Sequence, residues 1–313
     1  MVTGWAARTT RHLVALDAAH GATAAEPAAR AAVREAARHL PGPAAAPRAT
    51  GSDRLAALAE LYEVAGWILF DAGRYGPARR LNARAHALAE RCGDRWTARL
   101  VELNHSMLQA HTGRPRAALR TAARVTGARP LPPRVESLVL IRRAHATAML
   151  GAHREPLDLI ARARSRFLDG VSDRDPHWAW WIDRAELRGH QGWVEARLRR
   201  WDRAVPLLHE AATAPGPSYR HLFTAELLAA LAAAGAWRET EALIADIAPR
   251  AAGIGSVRTT ESLARTARML RDTPDRIPPA LRDAAFHLLA ELRTARLPHP
   301  PDELPGLTPG GHR

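Results

Sequence analysis

The chain has no lysine: all 45 of its basic residues are arginine. That choice carries the codon bias of a very GC-rich genome. It does not account for the net charge of +13, because Asp and Glu total only 32. A basic excess draws acidic partners or nucleic acid. The arginines are spread over every segment, however, which is the pattern of a solvated surface. No sequence-specific nucleic-acid binding is expected from this chain alone, only weak and salt-sensitive contact with phosphates. Cysteine is nearly absent. Cys92 stands alone, so an intrachain disulfide and a cysteine-rich zinc site are both excluded. Its simplest role is that of a small buried apolar residue. Aromatic residues make up 5%, and Val and Ile are also sparse, so strands are poorly supported. No run of about 18 apolar residues occurs to span a membrane. Met1–Ala19 lacks a continuous apolar core and carries Arg8, Arg11 and His12 internally, unlike a signal peptide. A cytoplasmic location is expected.

Catalytic signatures are missing too. GxSxG, a P-loop, GxGxxG and HExxH are absent, so no enzyme, cofactor or metal is expected. Fifteen histidines and 32 carboxylates make chance pairs inevitable. One such pair is Glu186 and His190, four apart; it reads more simply as a helix-surface pair. A helical enzyme of unknown reaction remains an alternative.

What the chain has is alanine, leucine, arginine and glutamate, all strong helix formers. It also has punctuation. Five helical stretches stop at a short hinge, aligned on Gly73, Gly113, Gly151, Arg199 and Gly235, with spacings of 40, 38, 48 and 36 residues. A period of that size means stacked helical hairpins, because one amphipathic hairpin cannot bury its apolar face alone. The predicted pairs are 53–72 with 76–92, 94–112 with 115–125, 132–150 with 154–168, 177–198 with 202–213, and 217–234 with 237–250. A less regular pair, 257–272 with 278–295, is expected to cap the stack. The fold class is therefore all-α, a solenoid of about five to six hairpins over residues 53–295. Residues 1–52 are an N-terminal segment with helices at 5–19 and 26–40 and a Pro/Gly-rich linker. Residues 296–313, rich in proline and glycine, are expected to be a disordered tail.

The register is internally consistent. Seven residues before each hinge stand Gly66, Ser106, Ala144, Gly192 and Leu228, all but the last small enough for close helix crossing. Two after it stand Tyr75, Pro115, His153, Trp201 and Trp237, and five after it Ala78, Ala118, Pro156, Ala204 and Thr240. This pattern resembles the tetratricopeptide repeat, with longer and looser units. A second resemblance is more specific. Ala65–Gly73 (AGWILFDAG), Asn104-His105-Ser106, Trp178–His190 and Trp201–Val205 are similar to the C-terminal region of actinobacterial regulators that carry an N-terminal Xre-type helix-turn-helix. Leu13–Gly21 resembles the stretch following their DNA-binding domain. The resemblance implies a regulatory binding module in transcriptional control of development or specialised metabolism. Nine residues before position 10 cannot form a helix-turn-helix. Either the gene start is misplaced and the protein is a DNA-binding regulator, or this is a regulator-like chain without a reader of DNA.

A stack of hairpins makes a groove, and the register predicts what faces it. Positions 13, 9, 6 and 2 before each hinge share one helix face. The row at nine before the hinge reads Val64, Asn104, Arg142, His190 and Glu226, with Trp67, His145 and Trp193 beside it. Asn bonds a backbone amide both ways and Arg grips a carboxylate bidentately. The row therefore suits a peptide, a small-molecule signal or a partner protein; a homodimer is also left open. The competing reading is a ladder of inter-helix hydrogen bonds that only fixes register. Trp178, Trp180 and Trp181 offer either an aromatic lid or an inter-unit core.

Overall fold

All five hinge positions turn the chain through a left-handed residue. Gly73, Gly113, Gly151 and Gly235 have φ of 76°, 76°, 85° and 75°. Arg199, aligned with them, has φ 58° and is the one non-glycine in that region among the described residues. A left-handed residue just past a helix end lets the chain reverse while its amides cap the last carbonyls. The Arg74 amide bonds the Leu69 carbonyl at 2.7 Å, and the Arg200 amide bonds that of Glu195 at 3.0 Å. The hinge is thus a conformation first and a glycine second.

The structure, a computed structural model, describes residues 2–40, 51–125, 130–273 and 276–294. The predicted tail and most of the linker lie outside them. The described residues form fourteen α-helices and no strand. These are α1 (Val2–His20), α2 (Ala22–Arg38), α3 (Ser52–Asp71), α4 (Tyr75–Cys92), α5 (Arg95–His111), α6 (Pro115–Arg124) and α7 (Pro133–Met149). Then follow α8 (Glu155–Leu168), α9 (Arg184–Arg197), α10 (Trp201–Thr213), α11 (His221–Ala234), α12 (Trp237–Ile247), α13 (Val257–Arg271) and α14 (Pro279–Thr294). Each odd helix packs on the next even one as a hairpin. Successive odd helices also touch from α1 to α13. They form an inner layer, and the even helices form an outer one. No described helix is long and apolar enough to cross a membrane.

The small positions sit where the register puts them. A Cβ on Gly192 would lie 2.7 Å from Leu208 Cγ of α10, and one on Gly66 would lie 2.5 Å from Asn82 Oδ1 of α4. Ser106 Oγ donates to the Ala118 carbonyl of α6 at 2.8 Å.

Three expectations change. The helix predicted over 177–198 is broken: His177–Trp181 is a single 3-10 turn, and α9 starts only after Asp183. The Asp183 carboxylate accepts from the Glu186 amide at 3.0 Å, a side-chain cap that competes with helix continuation. The N-terminal helices are no separate appendage either. Ala6 and Leu13 of α1 and five alanines of α2 share one apolar cluster with Leu55, Leu58 and Leu61 of α3.

Finally, the last hairpin does not cap an open stack; it closes a ring. Gly21 and Gly255 bring two backbones together, and the Thr23 amide donates to the Gly255 carbonyl at 2.9 Å. A Cβ on Gly255 would lie 2.2 Å from the His20 carbonyl oxygen, so no larger residue fits there. Arg258 of α13 pairs with Asp71 of α3 at 2.6 Å, both almost wholly buried. Tyr75 donates to Glu261 at 3.1 Å.

Candidate functional site

Closure converts the expected groove into a cavity of about 210 Å³. All seven inner helices line it: Asp17 on α1, Glu63 and Trp67 on α3, Asn104 on α5, Arg142 on α7, Glu186 and His190 on α9, Phe223 on α11 and Arg258 on α13. The 3-10 turn with Trp178, and Tyr219 just before α11, complete the wall.

Four residues of the predicted set meet here: Trp67, Asn104, Arg142 and His190. Val64, the remaining neighbour in the row, lines the cavity as well. Glu226 does not; its carboxylate instead accepts from Ser262 of α13 at 3.4 Å. His145 and Trp193 stand behind His190. Their rings stack 3.9 Å apart, and His145 meets the His190 ring edge-on at 4.9 Å. The facing stripe drifts along the stack. In α3 and α5 the positions 13, 9 and 6 before the hinge face inward; in α9 only 13 and 9 do, and in α11 only 13 does. The face that each inner helix turns to the cavity changes from unit to unit, so one helical stripe does not serve them all.

The polar groups of the wall fall into two sets. The first is satisfied. Asn104 Nδ2 donates to Glu63 Oε1 at 2.6 Å, joining α5 to α3. Trp67 Nε1 donates to Asp17 Oδ2 at 3.2 Å. His190 Nε2 and Glu186 Oε2, 3.4 Å apart, stand between the sets, in ionic contact without a hydrogen bond. The second set is unsatisfied. Asp17 Oδ1, Glu186 Oε1, Trp178 Nε1, the Tyr219 hydroxyl, and Arg142 Nε and Nη1 are buried without a hydrogen-bond partner. Arg142 is only 4% exposed, and no hydrogen bond or ion pair reaches it from any described residue.

Burial moves the acid–base chemistry of the wall. Loss of water pushes the carboxyls of Asp17 and Glu186 up to about 7, and that of Glu63 up to about 8. Nearby Asp71 adds to the effect on Asp17, and Glu60 to that on Glu63. Desolvation brings the Arg142 guanidinium down to about 10, against the pull of Glu186. The same cause holds the His190 imidazole well below its ordinary value.

No protein-family model matches the chain, and no curated protein is significantly similar to it. What the site can do must therefore be argued from its chemistry. Among the described residues, no three His, Cys, Asp or Glu side chains converge as metal ligands. Glu186 and His190 are neighbours without a third. Trp178 has one face in an apolar cluster with Leu103, Val135 and Leu138, and it also lines the cavity, so it serves as both core and wall. Trp180 is 58% exposed. Beside it His177 holds Glu60 of α3 at 3.1 Å, an exposed clasp from the turn to the opposite wall.

Sequence reasoning missed Asp17, Tyr219 and Arg258, which enter only through closure. It placed Glu63 on no inward stripe, although Glu63 lies next to Val64. A buried acid within the apolar run Leu61-Tyr62-Glu63-Val64-Ala65 is the signal that was there to use.

Proposed function

We propose that this chain is a regulatory sensor: a ring of tetratricopeptide-like hairpins that encloses a small-molecule signal and transmits its presence through the closing seam. The observation that carries this reading is Arg142. A buried charge with no partner costs several kcal/mol, and such a cost is maintained where a ligand repays it on binding. A cavity of roughly 150 Å³ takes one benzene ring, so about 210 Å³ suits a molecule on the order of ten heavy atoms. That size favours a metabolite over a peptide strand or a partner protein. The likeness to Xre-type regulators supports transcriptional control as the process. The outer surface, rich in arginine and in exposed ion pairs such as Arg250–Asp246, suits contact with an acidic partner more than sequence reading of DNA.

Native mass spectrometry of the gently purified protein tests this. A bound small molecule is expected, and it is expected to be absent from Ala18→Phe, which fills the cavity from α1. A cavity that stays empty across metabolite extracts, in a chain that works only through its outer surface, would remove the reading.

A second reading has an observation of its own. Three acids poised near 7 to 8 in a cavity that also holds a neutral imidazole are also what acid–base catalysis uses. The two readings separate on the released ligand: a sensor returns it unchanged, and an enzyme returns it transformed.

A further inference from the structure

The cavity presents unmet demands of opposite sign on different walls. On the α7 side Arg142 offers Nε and Nη1 to nothing. Glu186 pulls on the guanidinium from a distance but no group hydrogen-bonds it, and most of the surrounding wall is aromatic or aliphatic, so an anion that can take both N–H groups suits it. Carboxylate and phosphate both match arginine. A phosphate dianion would also meet the buried acids Glu186 and Glu63, whereas a carboxylate brings a single charge. On the α1 side Asp17 has its Oδ2 engaged by Trp67 and its Oδ1 free. Trp67 and Tyr219 stand edge-to-face 6.1 Å apart beside it. A carboxylate flanked by aromatic faces suits an ammonium group. The same cavity is lined by Val64, Met107, Trp178, Leu222 and Phe223, which ask for an apolar body beside the two charged groups.

We propose that the cavity binds a compact zwitterion, its carboxylate held by Arg142, its ammonium by Asp17, and its apolar body enclosed by Trp178 and Phe223. This rests on the reading of the cavity as a ligand site and specifies the ligand's class. The occupant is of amino-acid type: one acid, one amine and a hydrophobic side group. Trp178 Nε1, also unpartnered, supplies a further donor from the wall.

Three probes with one body and different ends test the assignment: L-phenylalanine, 3-phenylpropanoate and 2-phenylethylamine. Titration calorimetry and tryptophan fluorescence give affinities for each. L-Phenylalanine should bind tightest of the three. Arg142→Gln should weaken both carboxylate probes by about tenfold or more and leave 2-phenylethylamine unchanged. Asp17→Asn, which retains an acceptor for Trp67, should reduce L-phenylalanine to the affinity of 3-phenylpropanoate. A cooperative melting transition no lower than that of the parent protein in each variant shows that the fold is intact. The inference is overturned if 2-phenylethylamine binds as well as L-phenylalanine, if Arg142→Gln leaves L-phenylalanine unaffected, or if none of the three binds at millimolar concentration. In the last case a small molecule seen by native mass spectrometry keeps the sensor reading alive while the zwitterion is lost. An empty cavity in that experiment removes both.

Discussion

The seams between successive hairpins and the seam that closes the ring are built from different materials. Within and between neighbouring hairpins, small residues and leucines interlock: Gly192 under Leu208 and Ser106 under Ala118 within a hairpin, Leu103 against Val135 and Leu138 between two. At the closure, α13 and the link before it meet the first two hairpins through a glycine-to-glycine backbone approach, the buried Asp71–Arg258 pair and the Tyr75–Glu261 bond. The first kind is mainly apolar, with single buried bonds such as Asn104 to Glu63, and it is local in sequence and repeated. The second is polar, occurs once, and joins residues up to 234 positions apart, as with Gly21 and Gly255. Apolar seams hold whatever the solvent does. A polar seam depends on each partner being present and correctly charged, which makes it the element of this fold best suited to respond to a ligand. Arg258 belongs to both seam and cavity wall: it pairs Asp71, lies 4.4 Å from the centre of the Phe70 ring, and lines the space that a ligand would fill.

The largest effect is expected from breaking that pair. Asp71→Ala leaves Arg258 buried without its partner and should cost about 3–5 kcal/mol in chemical denaturation. The double variant Asp71→Leu/Arg258→Met should recover most of the loss, because an apolar pair of similar volume needs no compensation. A loss under about 1 kcal/mol for Asp71→Ala, the range of an exposed ion pair, would show that the ring is held by its apolar seams alone.

The pH dependence of stability should separate the two regions next. Asp17, Glu63 and Glu186 are held at about 7, 8 and 7, above their ordinary 3.8 and 4.5. The folded chain therefore binds these protons more tightly than the unfolded chain. Their stabilisation is complete at low pH and is lost as pH rises through 7 to 8. The buried histidines run the other way. His111 at about 4 and His145 at about 3 favour the folded state as pH rises toward 6.5, and add nothing beyond it. Between pH 6.5 and 8.5 only the falling contribution remains, on the order of 1–3 kcal/mol. Glu63→Gln keeps the bond from Asn104 and should flatten this slope. A stability that rises over the same window would mean that the ring admits water to its inner wall.

Gly192→Leu tests an ordinary hairpin seam. Its side chain would meet Leu208 of α10, and about 1–3 kcal/mol of overpacking cost is expected, with the pH slope unaltered. If the slope changes too, hairpin packing and closure are coupled more tightly than their separate materials suggest.

Which parts were legible in sequence follows from the same contrast. Hairpins are written locally: the helix formers, the hinges and the small residues seven before them placed α3 to α14 within a few residues, the start of α9 excepted. The same register brought Asn104, Arg142 and His190 to one cavity. The break before α9 was also written, as Asp183 three residues ahead of Glu186 in the pattern of a capping box, but the apolar weight of Trp178, Trp180 and Trp181 masked it. Closure left no such trace. Asp71 reads as the end of an amphipathic stripe, and Arg258 as one arginine among 45. Nothing periodic connects residues 187 positions apart, so Asp17, Tyr219 and Arg258 could not be assigned to the wall. Glu226 failed for a related reason: the register was carried rigidly to the fifth unit, past the change of face that turns Glu226 of α11 onto α13.

The smallest effect concerns the hinges that generate the repeat. Arg199 occupies the left-handed position that glycine fills in the other four units. For a residue with a Cβ that conformation costs roughly 1–2 kcal/mol. Glycine removes the cost but returns part of it as extra freedom in the unfolded chain, about 0.4–1 kcal/mol. Arg199→Gly should therefore stabilise the protein by no more than about 1.6 kcal/mol. The surface ion pairs of its neighbours are unaffected, since Arg200, and not Arg199, pairs with Glu195 at 3.1 Å. Thermal denaturation of this variant beside Gly151→Arg, its mirror at an open hinge where no described atom lies within 4 Å of the added Cβ, measures the hinge conformation apart from any contact. Equal and opposite shifts would show that the hinge acts through backbone geometry alone. A loss on Arg199→Gly would show that the arginine side chain contributes to the seam between α9 and α10, and that the fourth hairpin is held by more than its apolar face.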